Sequence, residues 1–156
     1  MCWTSKNLIQ HISDGNVKVF KICVLFGGAI RGYYYRKFEY ELNKEYQTEI
    51  NISSKIYSLT DETHIGNEGF HSYSEKECFV DTNREGFEVY NKKNNFFITV
   101  YHSGIKIIVV EGYLPKGTTY YINHDGEIIS DRIILEKITQ QIEYVENQGF
   151  QIKKNL

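Results

Sequence analysis

Alternation of side chains with a period of two residues is the feature that most constrains this chain. The clearest case is residues 17–26, VKVFKICVLF, in which apolar and β-branched residues occupy both parities. A strand with two apolar faces is typical of the centre of a sheet that is covered on both sides. The pair Gly27-Gly28 ends the run and predicts a hairpin or a bulge, because glycine accepts turn conformations that other residues avoid. The chain is therefore predicted to be built mainly from β-strands.

The same alternation recurs along the chain and predicts seven or eight strands in all. The further segments that carry it are residues 33–42, 46–58, 96–102, 105–114, 118–122 and 127–135. The pair Ser103-Gly104 predicts a hairpin between residues 96–102 and 105–114, because short glycine-containing connections join antiparallel neighbours. A polar loop is expected over residues 61–69.

Two segments predict short helices. Ser74 fits a capping box with the glutamate three residues later, and a helix is expected over residues 75–82. Apolar residues spaced by three or four from Leu135 onward indicate a second helix that ends near residue 147. Together with the strands, these helices predict an α+β fold that is mostly β, with antiparallel-dominated sheets of seven or eight strands and one or two short helices.

Length and charge bound the class of protein. The 156 residues suit a single domain over 1–156, with an N-terminal segment at 1–15 and a frayed tail at 148–156. A formal net charge of −2 gives no global attraction to nucleic acid or to a membrane surface. The longest run without a polar residue, 22–30, is far below the roughly 20 residues that cross a bilayer. Three cysteines without CxxC spacing favour reduced thiols, so we expect a soluble cytoplasmic protein.

Aromatic residues are frequent, at 15% of the chain, and thirteen of them are tyrosines. Tyrosine supplies a large contact area at a low ordering cost, which suits interfaces as well as cores. We therefore take Tyr33, Tyr35, Tyr73, Tyr120 and Tyr121 as candidate binding residues. The positive charges that follow the first two are cancelled by nearby glutamates, so a nucleic-acid partner is not expected. A protein partner, or self-association through an exposed edge strand, is the expected kind of interaction.

Two charged residues fall at positions where the alternation predicts apolar surroundings. Lys21 alternates with Val19 and Cys23, and Asp131 alternates with Ile129. A charge on an apolar face needs a partner, because burying it alone is costly. Three interpretations stay open: a structural ion pair, a wrong assignment of the strand face, or a charged pair with perturbed pKa values at the floor of a cleft.

The segment GFHSYS, residues 69–74, places an imidazole beside two hydroxyl groups just before the first predicted helix. His71, next to Ser72, has the chemistry of a general base or of a hydrogen-bonding partner for a ribose. The alternative is a loop-to-helix junction in which Ser74 only caps the helix. The five histidines show neither HxH nor HxxxH spacing, so no metal site is expected.

Five segments carry a resemblance to a known group of proteins. MCWTS, VFKIC, EGFHSYS, LPKGTTYY and DGEIISDRI resemble a family of short bacterial and phage-like proteins of uncharacterised function. The resemblance spans residue 1 to about residue 135. It implies membership of that family and brings no activity with it.

Three elements follow each other along the chain: a strand with the basic residue Lys21, the segment FHSYS at residues 70–74, and a late strand with an acidic residue. Their order is similar to that in the ADP-ribosyltransferase fold. That resemblance implies NAD as the cofactor, with Lys21 on the first strand and His71 and Ser72 at the nicotinamide ribose. It also implies that Glu127 or Asp131 orients the nucleophile. Our first hypothesis is nevertheless a binding or interaction module without a cofactor or catalytic activity. The alternative, an active or degenerate NAD-binding enzyme, requires Lys21, His71 and one of the two acids to line a single cleft.

Overall fold

The computed structural model shows a chain made of β-strands. The residues that it describes are 3–5, 9–32, 38–49, 51–52, 56–59, 62–65, 69–74, 78–81, 87–91, 96–100, 106–123, 126–145 and 149–154. In chain order the strands are β1 (Trp3–Ser5), β2 (Gln10–Ile12), β3 (Val17–Phe26), β4 (Ala29–Gly32), β5 (Glu39–Tyr40), β6 (Glu45–Gln47), β7 (Ile56–Leu59), β8 (Glu62–Ile65), β9 (Phe70–Tyr73), β10 (Cys78–Asp81), β11 (Phe87–Asn91), β12 (Phe96–Val100), β13 (Lys106–Leu114), β14 (Thr119–Ile122), β15 (Glu127–Ser130), β16 (Arg132–Val145) and β17 (Gly149–Lys154). The described ranges contain no α-helix. The predicted mostly-β character is thereby confirmed, with more strands than the seven or eight expected.

Eleven of these strands form one main sheet. Its path runs β17–β16–β13–β3–β9–β15–β14–β2, and β4, β5 and β6 attach beside that path. Two three-stranded sheets accompany it, β1–β8–β7 and β10–β11–β12. All pairings between described strands are antiparallel, as the sequence predicts.

The central position predicted for residues 17–26 is confirmed by β3, which has those bounds. It pairs with β13 along its length, with β4 and with β9. One of its faces contributes to a cluster that we call the main core, which comprises Val19, Cys23, Ile30, Tyr40, Phe70, Ile108, Val110, Leu114, Ile128, Ile133 and Leu135. A separate small core contains Ile52, Tyr121 and Ile129. Since Ile128 and Ile129 are neighbours in β15, the two cores mark opposite faces of that strand.

The predicted turn after β3 is a two-residue hairpin. Phe26 pairs with Ala29, and Gly27 and Gly28 have positive φ values of 61° and 79°. Type I′ hairpin turns require this left-handed backbone at both central positions, which glycine adopts without steric cost. The hairpin brings β4 back along β3, and β5 pairs with β4 in turn.

Both predicted helices are wrong over the residues that the structure describes. Residues 78–81 form β10, and the segment after Leu135 belongs to β16. In β16 the register against β13 shifts twice, so that Gly112 faces Leu135 and Val110 faces Ile138. These bulges add residues to the strand and turn a spacing of two into a spacing of three on the core-facing side. The pattern therefore imitated helical periodicity.

Other connections also differ from the prediction. The expected hairpin between residues 96–102 and 105–114 is not seen over the described residues 96–100 and 106–114, where β12 pairs with β11 and β13 pairs with β3 and β16. The polar segment 61–69 contains the strand β8, and the expected fray of the C-terminal tail is replaced over Gly149–Lys154 by β17. The segment 127–135 is divided at Asp131 into β15 and the start of β16.

Candidate functional site

Lys21 is buried in the main core, with 8% of its surface exposed. It lies on β3 between Val19 and Cys23, as the alternation predicts. Its side-chain nitrogen donates a hydrogen bond to the backbone oxygen of His71 at 2.7 Å and lies 5.8 Å from the centroid of the Tyr40 ring. Burial lowers the pKa of Lys21, and a smaller electrostatic contribution from Cys23 opposes this. None of the ion pairs among the described residues includes Lys21.

Ser72 and His71 lie on opposite faces of β9. Ser72 faces Ile128 of the main core, whereas His71 faces Ile129 of the small core. Directly opposed residues of an antiparallel pair share a face, so Ser72 is on the same side as Lys21. Its hydroxyl is buried and has no hydrogen-bond partner among the described residues.

The imidazole of His71 has a different environment. Burial lowers its pKa to about 4, and the positive charge of Lys21 contributes to this. A neutral imidazole is therefore the form present near neutral pH. Residues 70–73, expected just before a helix, form the strand β9, in which neighbouring residues point to opposite faces. The polar residues of this segment are therefore separated rather than clustered.

The two acidic candidates have structural contacts. Glu127 faces Tyr73 across the β9–β15 ladder, on the His71 side. Asp131 accepts a hydrogen bond from the Thr119 N–H at 3.0 Å through its carboxylate, and its own N–H donates to the Thr119 oxygen at 3.1 Å. The Thr48 N–H donates to the Asp131 backbone oxygen at 2.8 Å. Burial raises the pKa of the Asp131 carboxyl, and the Thr119 N–H partly offsets this.

The structure thus divides four of the five predicted chemical groups between two faces of the sheet. Lys21 and Ser72 share the main-core face, and His71 and Glu127 share the other. The single cleft required by an ADP-ribosyltransferase-like enzyme would need Lys21 and His71 side chains on one surface. Asp131, which was considered as a partner for Lys21, instead joins β14 to the β15–β16 break.

The three candidate binding tyrosines that the structure describes are buried or half-buried. Tyr121 is 2% exposed and donates its hydroxyl hydrogen to Gln10 Oε1 at 3.1 Å, and Tyr73 is also buried. Tyr120 is half-buried and stacks on His11, with ring centroids 5.1 Å apart and an interplanar angle of 17°. This burial removes Tyr73 and Tyr121 from the contact surface that the sequence suggested. Tyr33 and Tyr35 lie outside the described residues.

An open groove lies beside the β3–β4 hairpin. We call it the β4–β6 groove, and its lining residues are Gly28, Ala29, Ile30, Glu39, Tyr40, Glu41, Lys44 and Tyr46. Ile30 and Tyr40 belong to the main core, so the floor of the groove is the outer surface of that core. Glu39, Glu41 and Lys44 are exposed and form a charged rim.

The floor of the groove is fixed by aromatic packing. The ring centroids of Tyr40 and Tyr46 are 5.1 Å apart in an edge-on arrangement, and Phe38 lies 4.8 Å from Tyr40 and 5.3 Å from Tyr46. Such edge-to-face pairs are the favoured geometry for aromatic rings. Tyr46 Oη also accepts a hydrogen bond from the Glu41 N–H at 2.6 Å. Burial raises the pKa of Tyr40, so its phenol stays neutral.

The side walls are anchored to the main sheet. Asn43, in the turn between β5 and β6, has a positive φ of 62°, and its N–H donates to the Leu135 oxygen at 2.7 Å. Asparagine is among the residues that tolerate this conformation. The strand β6 then pairs with the start of β16. These contacts hold Tyr46 and Glu41 beside Tyr40.

The candidate binding tyrosines chosen from the sequence do not include Tyr40 or Tyr46 of the groove. The segment FEYELNKEY, residues 38–46, alternates aromatic rings with charges and contains the turn residue Asn43. That local signal marks the segment as surface-exposed and aromatic. The pairing of β6 with β16 brings together residues about 90 positions apart, and no local pattern specifies it.

No protein-family model, curated protein or solved structure matches the chain. Within the described ranges, no group of three or more His, Cys, Asp or Glu residues is placed to hold a metal ion. The same ranges contain no helix with the length and hydrophobicity needed to cross a membrane.

Proposed function

We propose that this protein is a binding module that captures a segment of a partner protein in the β4–β6 groove. The observation that carries the proposal is the half-buried ring of Tyr46, which packs edge-on against the buried ring of Tyr40 in the lining of an open groove. Tyrosine-lined surfaces contribute contact area with few rotatable bonds to order on binding. The resemblance to short bacterial and phage-like proteins remains a prediction and adds no activity.

The groove is supported from beneath and from the sides before any partner arrives. Tyr40 packs in the main core, and Asn43 ties the β5–β6 turn to Leu135. A surface that is already ordered loses less conformational entropy on binding, which favours affinity. This arrangement therefore supports recognition by a preformed surface.

An extended segment is the shape of partner that the groove fits best. The strand β5 pairs with β4 on one side, and no described strand pairs with its other side. Short open strand edges bind extended peptides by adding a strand, while neighbouring pockets take the side chains. We therefore propose a linear segment rather than a broad protein surface.

Another open edge offers a competing mode of interaction. The strand β2 is the last strand of the main-sheet path, and its residue Ile12 and the preceding Ile9 are exposed. Self-association through such an edge is the alternative that the sequence already suggested. The groove is preferred because it combines an open edge with an aromatic floor.

An NAD-binding enzyme of the ADP-ribosyltransferase type is not favoured by any described contact. Lys21 and Ser72 face the main core, and His71 faces the small core. We therefore propose no cofactor and assign no catalytic residue.

Selection from a displayed library of random linear peptides tests the proposal. The full chain serves as bait, and the selected peptides are then measured against two variants of half-buried tyrosines. Tyr46→Ala alters the groove, and Tyr120→Ala alters a tyrosine outside it. Circular dichroism and thermal unfolding establish that both variants remain folded.

We expect the selected peptides to lose at least about tenfold in affinity for Tyr46→Ala, the loss typical of a contact worth more than 1 kcal/mol. Their affinity for Tyr120→Ala should stay within about twofold of the unsubstituted protein. Equal binding to both variants, or the absence of any enriched peptide, contradicts a binding role for the groove.

A further inference from the structure

We infer that the β4–β6 groove selects a basic side chain, lysine or arginine, from the bound segment, and that Lys44 occupies this position in the free protein. The inference rests on the proposed function and specifies the chemistry of its ligand. It commits to a basic segment of a partner protein as the occupant.

The ammonium group of Lys44 already lies between an aromatic ring and a carboxylate of the groove. Lys44 Nζ lies 5.4 Å from the centroid of the Tyr46 ring and 3.8 Å from Glu41 Oε2. An aromatic face attracts a cation through its quadrupole, and a carboxylate adds direct charge attraction. Both components of a cation site therefore lie in the groove, with an internal lysine near them.

Lys44 is held only weakly at Tyr46 and Glu41, so a ligand can displace it. Its side chain is 57% exposed, and that of its partner Glu41 is 76% exposed. Exposed ion pairs and exposed cation–aromatic contacts are both weak, because water and salt screen the charges. A basic residue that also gains contacts along the groove can therefore replace Lys44 at little cost.

The charges along the rim of the groove favour a basic ligand. The carboxylate of Glu39 already accepts a hydrogen bond from Arg31 Nη2 at 2.6 Å, which leaves Glu41 as the acid available to a ligand. Because Arg31 pairs with Glu39, displacement of Lys44 leaves Glu41 as the uncompensated charge among the lining residues. A basic segment is attracted by that rim, and an acidic segment is repelled.

The probe for this inference is a capped tetralysine peptide, titrated into the ¹⁵N-labelled full chain and followed by amide chemical shifts. A capped tetraglutamate peptide of the same length is the charge control. We expect saturable shifts at residues 28–31 and 38–47 with tetralysine and none there with tetraglutamate. Raising the salt concentration should weaken the tetralysine shifts, because the attraction is screened.

Two groove variants separate the components of the site. Lys44→Met should tighten tetralysine binding by about threefold to tenfold, because the internal competitor is removed. Glu41→Gln should weaken it by a similar factor, while the backbone N–H that donates to Tyr46 Oη is retained. The opposite signs are the signature of a displaced internal cation.

A matched lysine elsewhere provides the control. Lys18 Nζ lies 2.6 Å from Glu111 Oε1 and 5.7 Å from the centroid of the Phe20 ring, but it is not part of the groove lining. Lys18→Met removes the same charge and the same kinds of contact. We expect it to leave tetralysine binding within about twofold of the unsubstituted protein.

The inference is overturned if tetralysine causes no shifts at the groove, if tetraglutamate binds equally well, or if Lys44→Met does not tighten binding. Library peptides that need Tyr46 but contain no basic residue would overturn the inference and leave the proposed function standing. Library peptides that bind independently of Tyr46 would overturn the proposed function itself.

Discussion

Two lysine–tyrosine pairs lie close together in this protein, and they differ mainly in their exposure to water. Lys21 lies 5.8 Å from the Tyr40 ring centroid, and Lys44 lies 5.4 Å from the Tyr46 ring centroid. The two tyrosine rings are themselves 5.1 Å apart. Lys21 is buried beneath the groove, whereas the Lys44 side chain is more than half exposed above it.

The difference shows how burial changes the role of one type of contact. Beneath Tyr40, the cost of removing a charge from water lowers the pKa of Lys21, and a smaller electrostatic contribution from Cys23 only partly offsets this. Beside Tyr46, the charge remains hydrated, so its contacts are weak and exchangeable. The buried pair is therefore part of the structure, and the exposed pair is available to a ligand.

The largest expected effect on stability comes from removing the ring of Tyr40, which lies next to Lys21 and also lines the groove. Tyr40→Ala should lower the free energy of unfolding by about 3–5 kcal/mol, because it opens a cavity in the main core. Tyr46→Ala, at the half-buried ring, should cost less than half as much. Urea denaturation of the two variants measures both changes, and equal losses would contradict the distinction between a buried and an exposed pair.

The next effect concerns the buried lysine. Lys21→Met should raise the free energy of unfolding at pH 7 by about 1–3 kcal/mol, because it removes the cost of burying an amine that is charged in the unfolded chain. The pKa of Lys21 is lowered in the folded protein, so the unfolded chain binds more protons below its ordinary value of 10.5. The stability of the unsubstituted protein should therefore rise with pH across the alkaline range up to that value, and the advantage of the variant should shrink.

Denaturant titrations at several alkaline pH values measure this dependence. Lys44→Met, which removes a charge of the same kind from an exposed side chain, is measured in parallel as the control. A constant difference for Lys21→Met would contradict a lowered pKa for the buried lysine.

A smaller effect on the free energy of unfolding is expected at acidic pH, where His71 titrates. The pKa of His71 is lowered to about 4 from an ordinary value of 6.5, so the unfolded chain binds more protons between these values. Stability should therefore fall as the pH drops from about 6.5 to 4, by about 1–2 kcal/mol for a partly exposed group, and this contribution should level off below pH 4. His71→Gln should remove the decline.

The charge of the buried Lys21 also influences the pKa of His71. It helps to lower the pKa of His71, so Lys21→Met should raise the histidine pKa measured by NMR. Lys44→Met should not change it. A histidine pKa that responds equally to both substitutions would contradict the separation of the two regions.

The smallest effect is that of the exposed lysine on stability. Lys44→Met should change the free energy of unfolding by no more than about 0.5 kcal/mol, since surface ion pairs contribute little. Thermal unfolding measures it beside Lys18→Met, the matched exposed lysine. A loss of 2 kcal/mol or more would show that Lys44 is a structural residue and not an exchangeable one.

Some of this arrangement could be predicted from the sequence. Alternation over residues 17–26 predicted a central strand and correctly marked Lys21 as a charge on an apolar face. The pair Gly27-Gly28 predicted the hairpin that begins one wall of the groove. These predictions succeeded because strand parity and left-handed turns are local properties of the chain.

Other parts depended on distant contacts. The bulges of β16, which arise from its pairing with β13, gave a spacing that imitated a helix near Leu135 and Ile138. His71 and Ser72 are neighbours in one polar segment before a predicted helix, and their opposite orientation follows from the pairing of that segment with β15 as a strand. The tyrosine count suggested a binding surface, but burial in two cores decides which rings remain available.

Hydrogen–deuterium exchange of the full chain, with and without a library-selected basic peptide, tests the central claim most directly. The account predicts that the peptide slows exchange at residues 28–31 and 38–47, and that the slowing is lost in Tyr46→Ala. Protection confined to the edge strand β2, or to any region outside the groove, would contradict it.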